Sequence, residues 1–334
     1  LVLGMISALL AASVWLAVAS YYGWPVSTTH SIIGAIVGFT ALSISVDAVE
    51  WSKVLGILGS WVITPAIAGI FAYLIYMSAK KVIFDQANPF LSAKKFVPVY
   101  MGLAGFIMSL VTIKKGLKHV GLGLDPVTGY TLAVSVALVV AVIGYVVIQK
   151  IEMKADANEE EQHASIERIF AVLMILTACC MAFAHGSNDV ANAIGPLAAV
   201  VSIVQNEGAI NAKAALEWWI LPLGGFGIVA GLALFGHRVI KTIGTKITHL
   251  TPSKGFAAEL AAATTVVVAS GTGLPISTTQ TLVGAVIGVG LARGVAALDM
   301  GTFKKIGISW VVTLPTGAVL SLIFFLILRA LFGV

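Results

Sequence analysis

Gly23-Trp24-Pro25-Val26-Ser27-Thr28-Thr29-His30-Ser31-Ile32-Ile33-Gly34-Ala35-Ile36-Val37-Gly38 recurs 250 positions later as Gly273-Leu274-Pro275-Ile276-Ser277-Thr278-Thr279-Gln280-Thr281-Leu282-Val283-Gly284-Ala285-Val286-Ile287-Gly288. The Gly, Pro, Ser, Thr, Thr, Gly, Ala and Gly positions are identical, and apart from His30/Gln280 and Trp24/Leu274 the rest are close exchanges. Repeated apolar segments interrupted by Gly and Pro in two halves of a membrane protein point to a transporter's binding site. The duplication extends beyond the motif. Ser60-Trp61-Val62-Ile63-Thr64-Pro65 resembles Ser309-Trp310-Val311-Val312-Thr313-Leu314-Pro315 at offset 249, so whole structural units are repeated.

Composition places these units in a bilayer. The chain is 59% hydrophobic and 10% charged, with mean hydropathy +1.01. It holds many apolar runs of the ~20 residues that span a bilayer core as helix. Nucleic acid is not implied by the net charge of +5, because the lysines fall in short pairs between apolar runs, such as Lys80-Lys81 and Lys304-Lys305. The fold class is therefore an all-α polytopic membrane protein, integral and multi-pass, with the cell membrane as the expected location and the lipid bilayer as partner. Cys179 and Cys180 are neighbours inside an apolar run, where a helix turns their side chains apart and no disulfide is expected.

Spans are expected over about 2–20, 54–77, 97–113, 130–149, 166–184, 218–235 and 305–331, with the motif segments at 23–43 and from 273 onward. Residues 78–96 read as a loop broken by Asn88-Pro89, 114–126 as interfacial, and 237–254 as a basic amphipathic stretch at the interface. The strongly polar tract 150–165, with Glu159-Glu160-Glu161, reads as a solvated linker between a first transmembrane repeat, 1–149, and a second, 166–334.

The motif has a definite chemistry. Pro25 and Pro275 break a helix arriving from upstream, and the Ser and Thr after them are good caps for a new half-helix. Its first turn carries unpaired N–H groups and the positive end of the helix dipole. The hydroxyls of Ser27, Thr28, Thr29, Ser277, Thr278 and Thr279 add neutral donors, so the pair of motifs suits an anion without a buried lysine. Gly34-x-x-x-Gly38 and Gly284-x-x-x-Gly288 suit close helix packing.

The second signal is His185-Gly186-Ser187-Asn188-Asp189-Val190-Ala191-Asn192-Ala193-Ile194-Gly195-Pro196, with apolar helix on both sides. An ionisable group at such a place is a functional candidate by default. Asn188, Asp189 and Asn192 share a helix face at spacings of three and four. One carboxylate with amide oxygens suits a small hard cation or a proton, whereas Asn N–H groups suit an anion. A capping role for Ser187 or Asn188 is the plain alternative. His30 stands opposite Gln280 in the repeat, so a protonatable group is not required there, and Glu167, Arg168 and Glu259 read as anchors near helix ends.

Gly-Ser-Asn-Asp-Val-Ala-Asn-Ala at 186–193, taken with the paired Pro-x-Ser-Thr-Thr segments, resembles the inorganic phosphate transporter (PiT) family of secondary carriers over essentially the whole chain. That resemblance implies cation-coupled phosphate uptake, two inverted repeats with broken or re-entrant half-helices, and a site built from the signatures and the Ser-Thr-Thr motifs. The expected phosphate ligands are Ser27, Thr28, Thr29, Ser277, Thr278, Thr279 and Asn188. Asp189 and Asn192 are expected to hold the coupling ion, Na⁺ ahead of H⁺, with no other cofactor. A homodimer is compatible with this reading. The family carries the Asn-Asp signature in both halves. Here it occurs once, and repeat symmetry places the partner of Asp189 about sixty residues before Leu1, so an N-terminal truncation is expected.

Two other readings compete. The same fold can carry sulfate or another tetrahedral oxyanion. An intramembrane serine hydrolase would use Ser27 or Ser277 with His30 or His185, but a serine repeated in both halves suits a pseudo-symmetric site better than a single nucleophile. A channel fits broken half-helices less well than alternating access does.

Overall fold

The computed structural model describes residues 1–113, 124–154, 158–210, 216–270, 276–294, 296 and 298–333. Pro275 and the 114–123 part of the expected interfacial segment lie outside them. Among the described residues, eleven α-helices run in the order α1 Val2–Tyr21, α2 Thr28–Ser43, α3 Trp51–Ala79, α4 Pro89–Val111, α5 Pro126–Gln149, α6 Glu159–Gln205, α7 Ile220–Gly231, α8 His237–Lys241, α9 Pro252–Ser270, α10 Thr278–Ala292 and α11 Met300–Phe332. Seven helical segments among the described residues are long and apolar enough to cross a membrane, while α2 and α10 are too short to do so alone. In hydrocarbon every backbone polar group needs an internal partner, which is why apolar runs of this length resolve into helix.

Helix boundaries follow their caps and correct several sequence expectations. α3 continues through a π turn, Lys80–Phe84, and Asn88 Oδ1 accepts from Leu91 N at 3.0 Å to start α4 with Pro89 in its first turn. Most of 78–96 is therefore helix, and Asn88-Pro89 starts a helix as well as breaking one. The polar tract 150–165 is linker only in part. Asn158 and Glu161 form a capping box, and Glu159-Glu160-Glu161 sit at the positive end of the α6 dipole, so their charge favours helix there. Asp299 caps α11, which begins five residues earlier than expected. The segment 237–247 extends the span begun at Ile220 through π turns and is not a separate surface helix. Arg238 anchors it, donating to the Tyr21 carbonyl at 2.6 Å and lying 4.4 Å from the centre of the Tyr21 ring.

Two three-helix groups organise the interior. One packs α1, α2 and α11; the other packs α9, α10 and α3. In repeat terms α1, α2 and α3 match α9, α10 and α11, so each short motif helix packs on the long helix of the opposite half. Small residues make this possible. A Cβ added to Gly34 would stand 2.6 Å from the Leu314 carbonyl oxygen, and one added to Gly284 would strike the Pro65 carbonyl oxygen. One turn on, Gly38 lies against Ala318 and Gly288 against Gly69. Since 65 and 69 correspond to 314 and 318 at offset 249, the two contacts are equivalent. α6 threads between the groups, touching α1, α2, α4, α7 and α9. At about 1.5 Å per residue its 47 residues span roughly 70 Å, so its charged first turns project beyond a ~30 Å hydrocarbon core.

Candidate functional site

Both motif helices begin with the expected serine cap. Ser27 Oγ accepts from His30 N at 3.1 Å and Ser277 Oγ from Gln280 N at 3.2 Å. The next intrahelical bonds, Ser31 N to Ser27 O and Thr281 N to Ser277 O, follow normal helix closure. The backbone N–H groups of Thr28, Thr29, Thr278 and Thr279 precede that closure and have no intrahelical acceptor. Each helix thus presents a positive, donor-rich end.

The two ends meet at α6. Thr28 Oγ1 donates to Asp189 Oδ2 at 2.7 Å, and Thr278 Oγ1 donates to Asp189 Oδ1 at 3.0 Å. One carboxylate therefore joins threonines 250 positions apart. Asn192 Nδ2 reaches Thr28 Oγ1 at 3.3 Å and Thr29 Oγ1 at 3.2 Å, and Thr29 Oγ1 donates to the Ile276 carbonyl at 2.9 Å, tying the first motif to the second. His185, one turn before Asp189, stands with Nε2 2.9 Å from Asp189 Oδ2. The Asp189 side chain retains 10% of its exposure.

Proximity thus unites residues that sequence reasoning assigned to two ligands: Thr28, Thr29 and Thr278, expected on phosphate, with Asp189 and Asn192, expected on the cation. Ser27, Ser277 and Thr279 are buried at the same helix ends. Asn188 precedes Asp189 on α6, about 100° round the helix. The capping alternative for Ser187 or Asn188 is removed, because α6 runs unbroken through them. His185 joins the site as a partner of Asp189. Its spacing of four residues from Asp189 on a helix was the available signal. His30 does not: its ring stacks on Trp61 of α3 with centroids 3.4 Å apart.

Pro196 adds a feature that hydrogen-bond bookkeeping exposes. It lies inside α6 and has no N–H, so the carbonyl four residues earlier, that of Asn192, loses its helical donor. The Asn192 backbone oxygen is thus without its usual helical donor, three residues after Asp189 on the same helix. The Asp189 carboxylate with the Thr28 and Thr278 hydroxyls forms an oxygen-rich group suited to a hard cation. The Ser–His pair needed for hydrolysis does not form among the described residues, where Ser27 and Ser277 cap helices and His185 faces Asp189.

Comparison with known proteins gives the family of the chain. The profile of the phosphate transporter family matches residues 1–321. A putative phosphate permease of Haemophilus influenzae is 53% identical over 334 residues, covering 100% of this chain and 79% of the relative. The chloroplastic inorganic phosphate transporter 2-1 of Arabidopsis thaliana is 41% identical, over 96% of this chain and 58% of its own length. A solved structure titled the sodium-dependent phosphate transporter superposes with TM-score 0.87 at 37% identity, covering 98% of this chain and 80% of that one. The chain belongs to the phosphate transporter family. It is an integral, multi-pass membrane protein of a family of carriers, not of enzymes.

Proposed function

We propose that this member of the phosphate transporter family takes up inorganic phosphate by symport with Na⁺ through the site at Asp189. The observation that carries the reading is the convergence of Thr28 and Thr278 on one carboxylate, at 2.7 and 3.0 Å. In this reading Asp189, the side chain and freed carbonyl of Asn192, and the two threonine hydroxyls enclose Na⁺. The phosphate lies on the other side of that ion. It is held by the N–H groups and hydroxyls opening α2 and α10, including those of Ser27, Thr29, Ser277 and Thr279, and by Asn188. A cation between two negative groups converts their repulsion at low dielectric into two attractions, which couples the two ligands.

The exchanged packing of α2 on α11 and α10 on α3 supports two inverted repeats that rock about the shared site, the usual geometry of alternating access. Relatives described as permeases support a place in the cell membrane. His185 gives a proton-coupled reading its own support, since an imidazole 2.9 Å from Asp189 makes a pair able to share a proton. Phosphate uptake by the full-length protein in proteoliposomes, with an inward Na⁺ gradient at fixed pH, tests the proposal. Accumulation that requires Na⁺ supports it. Accumulation that ignores Na⁺ and follows an inward proton gradient transfers the coupling to the Asp189–His185 pair.

A further inference from the structure

The α6–α9 interface carries a second polar line that the phosphate site does not use. At one end Glu167 of α6 accepts from Ser253 N at 2.8 Å and from Ser253 Oγ at 2.7 Å, which anchors the start of α9. Ten residues along α6, the fully buried Thr177 lies 2.7 Å from Glu259 Oε2. Asp189 follows twelve residues later. At about 1.5 Å per residue, Thr177 is roughly 15 Å from Glu167 and roughly 18 Å from Asp189. Glu259 is therefore no helix-end anchor. It stands two turns inside α9 and is mostly buried.

Among the described residues nothing charged pairs with it. The ion pairs among the described residues are Lys53–Glu50, Lys154–Glu161 and His185–Asp189. The titratable group facing Glu259 from α6 is the Cys180 thiol. α3 and α4 bring Ile75, Ile107 and Met108 to the adjoining apolar cluster, with Tyr100 of α4 lying one turn away against Phe256, and α10 contains no charged residue. A hard cation takes about six oxygens. Here the carboxyl and one hydroxyl are gathered, which suits a proton.

Hydrogen counting points the same way. Thr177 Oγ1 is 2.7 Å from Glu259 Oε2 and 3.1 Å from the Met174 carbonyl, yet a hydroxyl has one hydrogen. With an ionised Glu259 both neighbours are acceptors, and one contact goes unfilled. With a protonated Glu259 its O–H donates to Thr177 Oγ1, and the Thr177 hydrogen goes to the Met174 carbonyl, so both are filled.

We propose that Glu259 is a proton-binding site separate from the Asp189 centre, protonated while α6 and α9 pack as here and releasing its proton to water when that interface opens. The transport consequence rests on the phosphate-carrier reading; the proton itself does not. The test is infrared difference spectroscopy of the full-length protein in lipid at about pH 6 to 8, where an ordinary glutamate is ionised. A protonated-carboxyl C=O stretch is expected that is deuterium-sensitive, indifferent to replacing Na⁺ by choline, absent in Glu259→Gln, and raised in frequency in Thr177→Val, which loses the acceptor. Na⁺-driven uptake of Glu259→Gln, divided by that of the parent protein, is expected to equal one at low pH and to depart from one as pH rises; phosphate ionisation cancels in this ratio. A spectrum without that band, or a band that Na⁺ removes at fixed pH, overturns the proposal. Absence of uptake in both proteins counts against phosphate symport and leaves the spectroscopic result standing.

Discussion

The first and second motif helices perform the same tasks with different neighbours. Ser27 and Ser277 cap, Thr28 and Thr278 donate to Asp189, and Gly34 and Gly284 accept the backbone of a long helix from the other half. They diverge on the face turned from α6. There His30 stacks on Trp61, whereas its counterpart Gln280 is amide; Ser31 and Thr281 both bond back to the carbonyl of their capping serine, and Thr281 also lies 3.3 Å from the Thr64 hydroxyl of α3. What both helices keep is the set of groups that touch the shared carboxylate or allow close approach. What they vary is the packing around it. The difference teaches that the site depends on hydroxyls and backbone ends and not on a titratable ring at position 30.

The largest expected effect breaks the shared point itself. Asp189→Asn in the full-length protein removes the negative charge that both motifs face, and Na⁺-driven phosphate accumulation should fall to background in proteoliposomes. Normal accumulation with normal Na⁺ dependence would remove Asp189 from the coupling site. Next come Thr28→Val and Thr278→Val, which keep the shape and delete one hydroxyl each. Each loses one hydrogen bond to a charged group, ~1.5–3 kcal/mol, and should weaken Na⁺ affinity about tenfold or more, read as the Na⁺ concentration for half-maximal uptake. Similar losses would uphold the equivalence of the two helices; a loss confined to Thr28 would assign the ion to the first motif.

A packing test sharpens the same comparison. Gly34→Ala and Gly284→Ala each force a methyl onto opposing backbone, and overpacking of this kind costs about 1–3 kcal/mol. Both should lower the melting temperature in detergent, with Gly56→Ala, which meets nothing within 4 Å, as the unaffected control. The smallest change is expected from His30→Gln, which installs the residue already used at position 280. Uptake should stay within about twofold of the parent, the ~0.4 kcal/mol scale of a tolerated packing change. A large loss would restore a special role for His30.

Much of this arrangement was legible in the chain. The caps at Ser27 and Ser277 follow from Pro-x-Ser-Thr-Thr, because cap chemistry is local. Asp189 stood out as an ionisable residue amid apolar helix, since its insertion is unfavourable wherever it lies. Glu259 was misplaced. Its neighbourhood has the same composition as a helix end, and only its pairing with Thr177, 82 residues away, shows it to be internal. The polar tract before α6 was read as linker because charge density suggests solvation, yet the same glutamates stabilise a helix start once Asn158 caps it.

By itself the sequence determined the membrane class, the duplication, the half-helix starts and the ionisable residue, all properties of short windows whose physics is solvation, capping and dipole. Tertiary structure decided which groups share a ligand. Thr28, Thr278 and Asp189 meet only because each motif helix packs on the long helix of the opposite half, and that exchange depends on backbones approaching where Gly34 and Gly284 carry no Cβ. Contacts across 161 and 89 residues are set by packing, which no local window of sequence contains.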